Sequence, residues 1–179
     1  MKKYILALLM ISMSVTGCKD DKKEAEKTVE KVDNSFKVSF NLILKKDDNI
    51  HLYFTEDGTL NFNEKNSLWM PLKGSDAPQE ISFSLPVDVS PTHLRVDFGA
   101  GVNEQQSDVE IKSFKMKYFD KEVVANGVSF FDYFYPNESN TTVVKGTSIL
   151  KRLDKKQSGG PMVYPQTLLT EKISTMIKG

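Results

Sequence analysis

The feature that most constrains the fold is a long alternation of apolar and polar residues that begins at Ser35. In its first part, every second residue is apolar: Phe36, Val38, Phe40, Leu42 and Leu44. Successive side chains of a β-strand point to opposite faces, so this alternation predicts a half-buried strand. The pattern returns in five further segments, at residues 50–54, 60–62, 68–72, 81–85 and 94–98. The sequence therefore predicts a domain built mainly from strands that share one core.

The spacing of these segments predicts the fold class. Strand signals recur at intervals of about eight to twelve residues, with turn signals such as Asp57-Gly58 between them and no helix. This spacing favours an all-β, antiparallel β-sandwich of jelly-roll-like type over an α/β fold. Pro71 lies within one strand segment and cannot donate a backbone hydrogen bond, so that strand is expected at a sheet edge or at a bulge.

The next strand segment contains a change of parity. Val109 and Ile111 are apolar at odd positions, whereas Phe114 and Met116 are apolar at even positions. A slip of one residue would turn one of these sets to the wrong face of the sheet. The sequence therefore predicts a bulge or turn near Lys112–Ser113 that restores the inward direction.

Helical periodicity appears only near the C-terminus. Pro165 can occupy a first helical turn, and the residues that follow it at approximate helical spacing are Leu168, Leu169, Lys172, Ile173, Met176 and Ile177. We expect a short amphipathic helix there. This helix either packs on the sandwich or serves as a partner-binding tail.

The central part of the chain resembles a known type of domain. The resemblance is carried by segments that include Ile81-Ser82-Phe83-Ser84-Leu85-Pro86, Leu94-Arg95-Val96-Asp97-Phe98-Gly99 and Val109-Glu110-Ile111-Lys112-Ser113-Phe114. Their order is similar to galactose-binding-like, jelly-roll sandwich domains that accompany bacterial cell-envelope polysaccharide proteins. The resemblance spans roughly residues 49–120 and implies a fold rather than a particular ligand.

The N-terminus has the order of residues found in an export signal. Two lysines precede an apolar stretch over residues 4–13, which is too short to span a bilayer comfortably. The next residues, Val15-Thr16-Gly17-Cys18, resemble the lipobox of bacterial lipoproteins. This resemblance implies cleavage after Gly17 and lipid attachment to Cys18. The alternative is an ordinary signal peptide followed by an unrelated cysteine.

The predicted organisation has three parts: a lipoprotein signal peptide at 1–17, a lipid-anchored charged linker at 18–34 and a β-sandwich domain at 35–179. The linker is dominated by Lys, Asp and Glu, and it has too few apolar residues to offset the entropy of ordering. Its opening, Cys18-Lys19-Asp20-Asp21, resembles the export signal of Bacteroidetes-type lipoproteins. We therefore expect a lipid-anchored outer-membrane protein, on either the cell surface or the periplasmic face.

Composition and motifs exclude several function classes. Cys18 is the single cysteine, so the chain has no internal disulfide, and once lipidated it has no thiol for catalysis. The chain has 24 basic and 24 acidic residues, a balance that gives no sign of a nucleic-acid partner. It contains no Gly-x-Ser-x-Gly elbow, no phosphate-binding glycine loop and no His-Glu-x-x-His pair. We expect no enzymatic activity, no cofactor and no metal, and we expect His51 and His93 at the surface.

The strongest candidate for a binding feature is an aromatic run. Phe130, Phe131, Tyr133, Phe134 and Tyr135 lie within six residues. If this run is a strand, Val128, Phe130, Asp132 and Phe134 point one way, and Phe131, Tyr133 and Tyr135 form a stripe on the other side. Such a stripe can stack on sugar rings or dock a protein. The alternative is a strand that is buried on both faces.

Three further residues are candidates for ligand binding. The parity of Trp69 is opposite to that of the inward residues of its strand, so its indole is expected to point outward. Arg95 and Asp97 lie two residues apart on one strand, so their side chains share a face. These two could bind a polar ligand, or they could pair with each other and brace the turn at Gly99.

Two functions are compatible with these features. The first is a non-enzymatic, lipid-anchored module that binds a polysaccharide, with ligand-binding residues Trp69, Phe131, Tyr133, Tyr135, Arg95 and Asp97. The second is an envelope protein that docks another protein through the aromatic stripe or the C-terminal helix. A hydrolase with unrecognised paired carboxylates also remains open, because the separation of such carboxylates is a property of the folded chain. We expect the first function.

Overall fold

A computed structural model describes residues 33–100 and 106–178. The predicted signal peptide, the lipidation site Cys18 and the linker up to residue 32 lie outside these described residues. The first ten strands, in chain order, are β1 Lys37–Leu44, β2 Asp48–Thr55, β3 Ser67–Leu72, β4 Gln79–Ser84, β5 His93–Phe98, β6 Val109–Tyr118, β7 Lys121–Asn126, β8 Phe134–Pro136, β9 Thr141–Val143 and β10 Ile149–Arg152. The last strand and the helix are β11 Met162–Pro165 and α1 Thr167–Lys178, and short 3₁₀ helices cover Glu64–Asn66 and Gly127–Asp132.

The strands form two antiparallel sheets that pack face to face. The first sheet has the order β4-β1-β6-β10-β9, and β7 also pairs with β6. The second sheet has the order β3-β2-β5-β11-β8. One cluster of buried side chains contains residues from both sheets and from α1. The protein is an all-β, antiparallel β-sandwich with a short C-terminal helix, as the sequence pattern predicts.

The residues that the alternation predicts to point inward form the core of the sandwich. The first sheet buries completely the apolar residues of the opening alternation: Phe36, Val38, Phe40, Leu42 and Leu44. The second sheet contributes fully buried residues of β2 and β5: Ile50, Leu52, Leu94, Val96 and Phe98. Burial of apolar surface on this scale is the main favourable term in folding, so the alternation accounts for the packing of the two sheets.

The predicted bulge lies on β6. Neighbouring residues of β1, Asn41 and Leu42, pair with Ser113 and Ile111, so Lys112 is an extra residue on β6. A bulge of this kind lets the apolar residues on both of its sides face the core. Those residues are fully buried, which confirms the prediction.

The predictions around β2 and β3 have mixed outcomes. Pro71 lies on β3, which is an edge strand of the second sheet, as expected. The strand predicted at Leu60 and Phe62 is wrong, because these residues form an irregular segment, and Leu60 is 48% exposed. The reason is local. Asp57 accepts a hydrogen bond from the backbone N–H of Thr59, so the chain turns away from the sheet after β2.

The C-terminal helix packs on the sandwich. Leu169, Ile173 and Met176 are buried, and α1 contacts β5, β7 and β11. Lys121 of β7 donates hydrogen bonds from Nζ to the carbonyls of Thr175 and Met176, which satisfies two acceptors of the last turn. The packed form of the helix is therefore the observed one. None of the helices in the described part of the chain is long and apolar enough to cross a membrane.

The aromatic run does not form the predicted strand. Gly127, with φ of +51°, opens the 3₁₀ helix over Gly127–Asp132, and β8 begins only at Phe134. Side chains of a 3₁₀ helix repeat every three residues and do not alternate between two faces. Val128, expected inward, is consequently 54% exposed, whereas Phe130 is completely buried. The predicted stripe therefore does not exist as a continuous surface.

Candidate functional site

The outer face of the second sheet carries the most concentrated group of aromatic and charged side chains. These residues alternate along their strands with the core residues, so the strand pleat directs them away from the core. We call this surface the aromatic face, and it is formed by Trp69 of β3, His51 and Tyr53 of β2, Arg95 and Asp97 of β5, Tyr164 of β11 and Tyr135 of β8.

The register of the strands brings these residues together. His51 lies opposite Trp69 on one side and opposite Asp97 on the other. Tyr164 lies opposite Tyr135. Side chains directly opposite each other on antiparallel strands have Cβ atoms about 5 Å apart, which is close enough for rings to stack. The pairing therefore creates a row of contacts that crosses the sheet.

At one end of the row, Trp69 stacks on the next residue toward the centre, His51. The indole of Trp69 lies 3.6 Å from the imidazole of His51, measured between ring centroids, and the two planes are within 21° of parallel. Trp69 is 51% exposed, whereas His51 is only 1% exposed. The imidazole thus packs against one face of the indole. The remaining exposed indole surface is available to a flat apolar ligand.

At the other end, Tyr135 stacks on the next residue toward the centre, Tyr164. The rings of Tyr135 and Tyr164 have centroids 5.9 Å apart and planes within 22° of parallel, and Tyr135 is 39% exposed. Both tyrosines line a depression of about 500 Å³ together with Pro136, Asn137 and Glu138. This end of the face therefore combines an exposed aromatic surface with amide and carboxylate groups.

An ion pair on β5 lies between the two ends of the row. Arg95 donates to both carboxylate oxygens of Asp97, from Nε at 2.9 Å and from Nη2 at 2.6 Å. The guanidinium carbon also lies 4.7 Å from the ring centroid of Tyr53 and 5.3 Å from that of Tyr164. Burial raises the pKa of the Asp97 carboxyl, and the adjacent guanidinium opposes that rise. Of the two roles anticipated for these residues, pairing with each other is observed.

The irregular segment after β2 covers the centre of the face. The ring of Phe62 lies 6.4 Å from that of Tyr53 and 6.0 Å from that of Tyr164. The hydroxyl of Tyr53 donates to Oε1 of Glu64 at 2.8 Å. Burial, together with this hydrogen bond to a carboxylate, raises the pKa of Tyr53 well above its usual value. The segment fixes the centre of the face and leaves its two ends open.

The expectation of a surface position is wrong for His51. Its ring lies beneath Trp69 and beside Tyr53, and its Nε2 has no hydrogen-bond partner. Burial lowers the pKa of His51 to about 4, although the carboxylate of Glu64, 3.6 Å from Nε2, favours the charged form. His51 is therefore neutral at pH 7. The side chain of His51 points away from the core but is not exposed, because the larger ring of Trp69 covers the imidazole.

The structure places four of the six predicted ligand-binding residues on the aromatic face: Trp69, Tyr135, Arg95 and Asp97. The other two, Phe131 and Tyr133, are half-buried against the core. Phe131 packs edge-on against Phe130 at 5.4 Å, and Tyr133 lies 5.8 Å from Phe114. These two rings stabilise the rim of the core and do not extend the face.

Several members of the site are not among the residues predicted from the sequence. Tyr53 and Tyr164 each occupy a position between buried strand residues, so the parity that identified Trp69 also marks them as outward. Phe62 and Glu64 have no such signal, because the predicted strand at 60–62 does not form and no alternation places a loop residue on the sheet. Their place in the site follows from a loop that folds back over the sheet.

The groups on the aromatic face are of types that can take part in noncovalent recognition. Flat aromatic surfaces at its ends can stack on the apolar faces of sugar rings, and the neighbouring polar groups can exchange hydrogen bonds with hydroxyls. Within residues 33–100 and 106–178, no three His, Cys, Asp or Glu side chains converge as a metal ion would require.

Comparisons with known proteins give no further indication of what the aromatic face binds. The chain matches no family model, no curated protein and no solved structure.

Proposed function

We propose that this protein is a lipid-anchored, non-enzymatic binding module of the cell envelope that holds a polysaccharide on its aromatic face. The observation that carries this proposal is the pair of exposed aromatic side chains, Trp69 and Tyr135, on one face of one sheet. The Arg95–Asp97 pair and Glu64 lie between them and supply polar groups.

The orientation of the exposed rings supports carbohydrate binding. Each is stacked on a neighbouring ring, Trp69 on His51 and Tyr135 on Tyr164. A side chain that is already fixed loses little conformational entropy when a ligand binds. The two surfaces are therefore suited to rigid, amphipathic rings, and pyranose rings have this character.

The N-terminal sequence supports an anchored protein. The likeness of Val15-Thr16-Gly17-Cys18 to a lipobox implies a lipid on Cys18, and the charged residues after it imply export to the outer membrane. We propose the outer membrane as its location, on either the cell surface or the periplasmic face.

Two observations favour carbohydrate binding over docking of a protein partner. The apolar residues Leu169, Ile173 and Met176 of α1 are already buried against the sandwich, so the helix offers no free apolar face for a partner. In the aromatic run, Phe130 and Phe134 are completely buried. The helix and most of the aromatic run, which are the two docking surfaces suggested by the sequence, are therefore occupied by packing within the domain.

A glycan array tests the proposal directly. The purified full-length protein, kept in a detergent without sugar groups, would be compared with the variants Trp69→Ala and Tyr135→Ala. The matched control is Phe119→Ala, because Phe119 is 48% exposed but lies at the β6–β7 turn, on the other sheet. We expect binding by the wild-type protein and by the control, and loss of binding in the variants.

Two outcomes would contradict the proposal. One is the absence of binding to every glycan by correctly folded wild-type protein, and this outcome would favour the docking alternative. The other is glycan binding that persists unchanged in a Trp69→Ala/Tyr135→Ala double variant, because the binding surface would then lie elsewhere.

A further inference from the structure

We infer that the ligand of the aromatic face is an uncharged, linear glycan chain that crosses the strands and contacts Trp69 and Tyr135 at the same time. This inference rests on the proposed function and specifies its substrate class. It depends on three properties of the face: the separation of its ends, the surface between them and the charge around them.

The separation of the ends sets a minimum length for the ligand. Trp69 lies on β3 and Tyr135 lies on β8, and these are the two edge strands of the five-stranded sheet. Four strand spacings of about 4.8 Å place the two residues about 19 Å apart across the sheet. One or two sugar rings cannot reach across this distance, whereas a chain of roughly four rings can.

The surface between the ends favours a chain that lies along the face. Phe62 and Tyr164 contact each other at the centre, with ring centroids 6.0 Å apart, and both are partly exposed. Tyr53, which contacts Phe62, is 8% exposed, and His51, which lies beneath Trp69, is 1% exposed, so no deep pocket opens at the centre. A ligand that approaches end-on would therefore find no cavity to occupy. A ligand that lies flat meets aromatic surface at the centre and at both ends.

The charges around the face favour a neutral chain. The guanidinium of Arg95 is already neutralised by its two hydrogen bonds to Asp97. Glu64 lies at the centre of the face, and Glu138 lines the depression beside Tyr135. A uronic acid or sulfated sugar would bring its own negative charge close to these two carboxylates. Electrostatic repulsion therefore disfavours an acidic glycan.

A length series tests this inference. The probes are cello-, xylo- and malto-oligosaccharides from the disaccharide to the octasaccharide, with galacturonan oligosaccharides as the acidic counterpart. Binding of the full-length protein would be measured by calorimetry for the wild type, Trp69→Ala, Tyr135→Ala and the control Phe119→Ala. For at least one neutral series, we expect affinity to rise steeply up to about four or five rings and then to level off.

The variants show whether both ends act on one chain. For oligosaccharides that span the face, we expect each of Trp69→Ala and Tyr135→Ala to weaken binding roughly tenfold. For a disaccharide, we expect at most one of these variants to have an effect. The Phe119→Ala variant should bind like the wild type at every length.

Several results would overturn the inference and leave the proposed function intact. These are an affinity that does not depend on length, a long chain that responds to only one of the two variants, and a preference for the acidic series. The proposed function itself fails if the wild-type protein binds no glycan in either this series or the array, or if binding persists unchanged in the Trp69→Ala/Tyr135→Ala double variant. The two failures are therefore distinguishable.

Discussion

The buried imidazole of His51 makes the stability of the protein depend on pH in a predictable direction. The ring is covered by Trp69 and contacts Tyr53, and burial lowers its pKa from 6.5 to about 4. In the unfolded chain the imidazole binds a proton as the pH falls through 6.5, whereas in the folded protein it stays neutral until about pH 4. The unfolded state therefore gains stability relative to the folded state over this range. Acidification should destabilise the fold between about pH 6.5 and 4 through this one residue.

The size of the effect follows from the difference between the two pKa values. Each unit of pKa corresponds to about 1.4 kcal/mol, so the full contribution of His51 is about 3 kcal/mol below pH 4. At pH 5 the contribution is about 2 kcal/mol, and above pH 7.5 it is close to zero. The carboxylate of Glu64, 3.6 Å from Nε2, already opposes the shift, and its effect is included in the value of about 4.

Urea unfolding measures this contribution. Trp69 is the chain's single tryptophan, so its fluorescence reports on the site and on unfolding together. The free energy of unfolding would be measured between pH 8 and pH 4.5 for the wild type and for His51→Gln, which is neutral throughout. Burial also lowers the pKa of His93, but that residue and the carboxylates contribute to both proteins and largely cancel in the difference.

The expected result is a wild-type curve that falls more steeply with acidification than that of His51→Gln. The stability difference between the two proteins should change by about 2 kcal/mol between pH 8 and pH 5. Parallel curves would show that the imidazole titrates normally in the folded protein, and the buried position beneath Trp69 would then be wrong. A wild-type protein that becomes relatively more stable at low pH would instead indicate a protonated pair with Glu64.

Three further predictions concern stability and can be checked by urea unfolding at pH 7.5. Gly160→Ala should destabilise the fold by about 2–4 kcal/mol or prevent folding, because an added Cβ would lie 1.7 Å from the carbonyl oxygen of Phe98. Phe130→Ala should cost about 3–5 kcal/mol, since this completely buried ring packs against four other phenylalanines. Asp97→Asn should cost about 2–3 kcal/mol, because it leaves the partly buried guanidinium of Arg95 without its counter-charge. A loss below about 0.5 kcal/mol in any of the three would contradict the contact concerned.

The parts of the fold that the sequence predicts correctly are those set by a local period. The alternation that starts at Phe36 fixes which residues face the core, and the parity change around Lys112 can be resolved only by an extra residue on that strand. Pro71 lacks a backbone donor, so an edge position follows from its chemistry. Each of these inferences needs only neighbouring residues, and each agrees with the structure.

The aromatic run could not be predicted in the same way. A run in which almost every residue is apolar or aromatic fits a strand and a helical turn equally well, so its period is undefined. The left-handed conformation of Gly127 decides the outcome by opening a 3₁₀ helix. That helix buries Phe130 in the core and leaves Phe131 at its rim. Whether the run forms a strand or a 3₁₀ helix depends on how the turn after β7 packs against the core. The local sequence pattern carries no information about that contact.

The candidate site was only partly predictable, for a related reason. Parity indicates that Trp69 points outward, and spacing indicates that Arg95 and Asp97 share a face. That Trp69 and Tyr135 belong to the same face depends on the order β3-β2-β5-β11-β8, in which strands distant in sequence become neighbours. Cross-strand register is a long-range property, so a single sequence does not give it.

Under the proposed function, stability and binding depend on different residues of the aromatic face. Its centre, where His51 and Tyr53 lie, is buried, whereas Trp69 and Tyr135 at its ends are exposed. Truncating a half-exposed end ring removes less buried area than removing a central ring, which would open a gap beneath its neighbours, so its cost in stability should be smaller. Because the central residues hold the end rings in place, substitutions at the centre should lower both stability and affinity. Substitutions at the ends should lower affinity with a much smaller loss of stability, and this difference distinguishes a binding surface from an exposed part of the core.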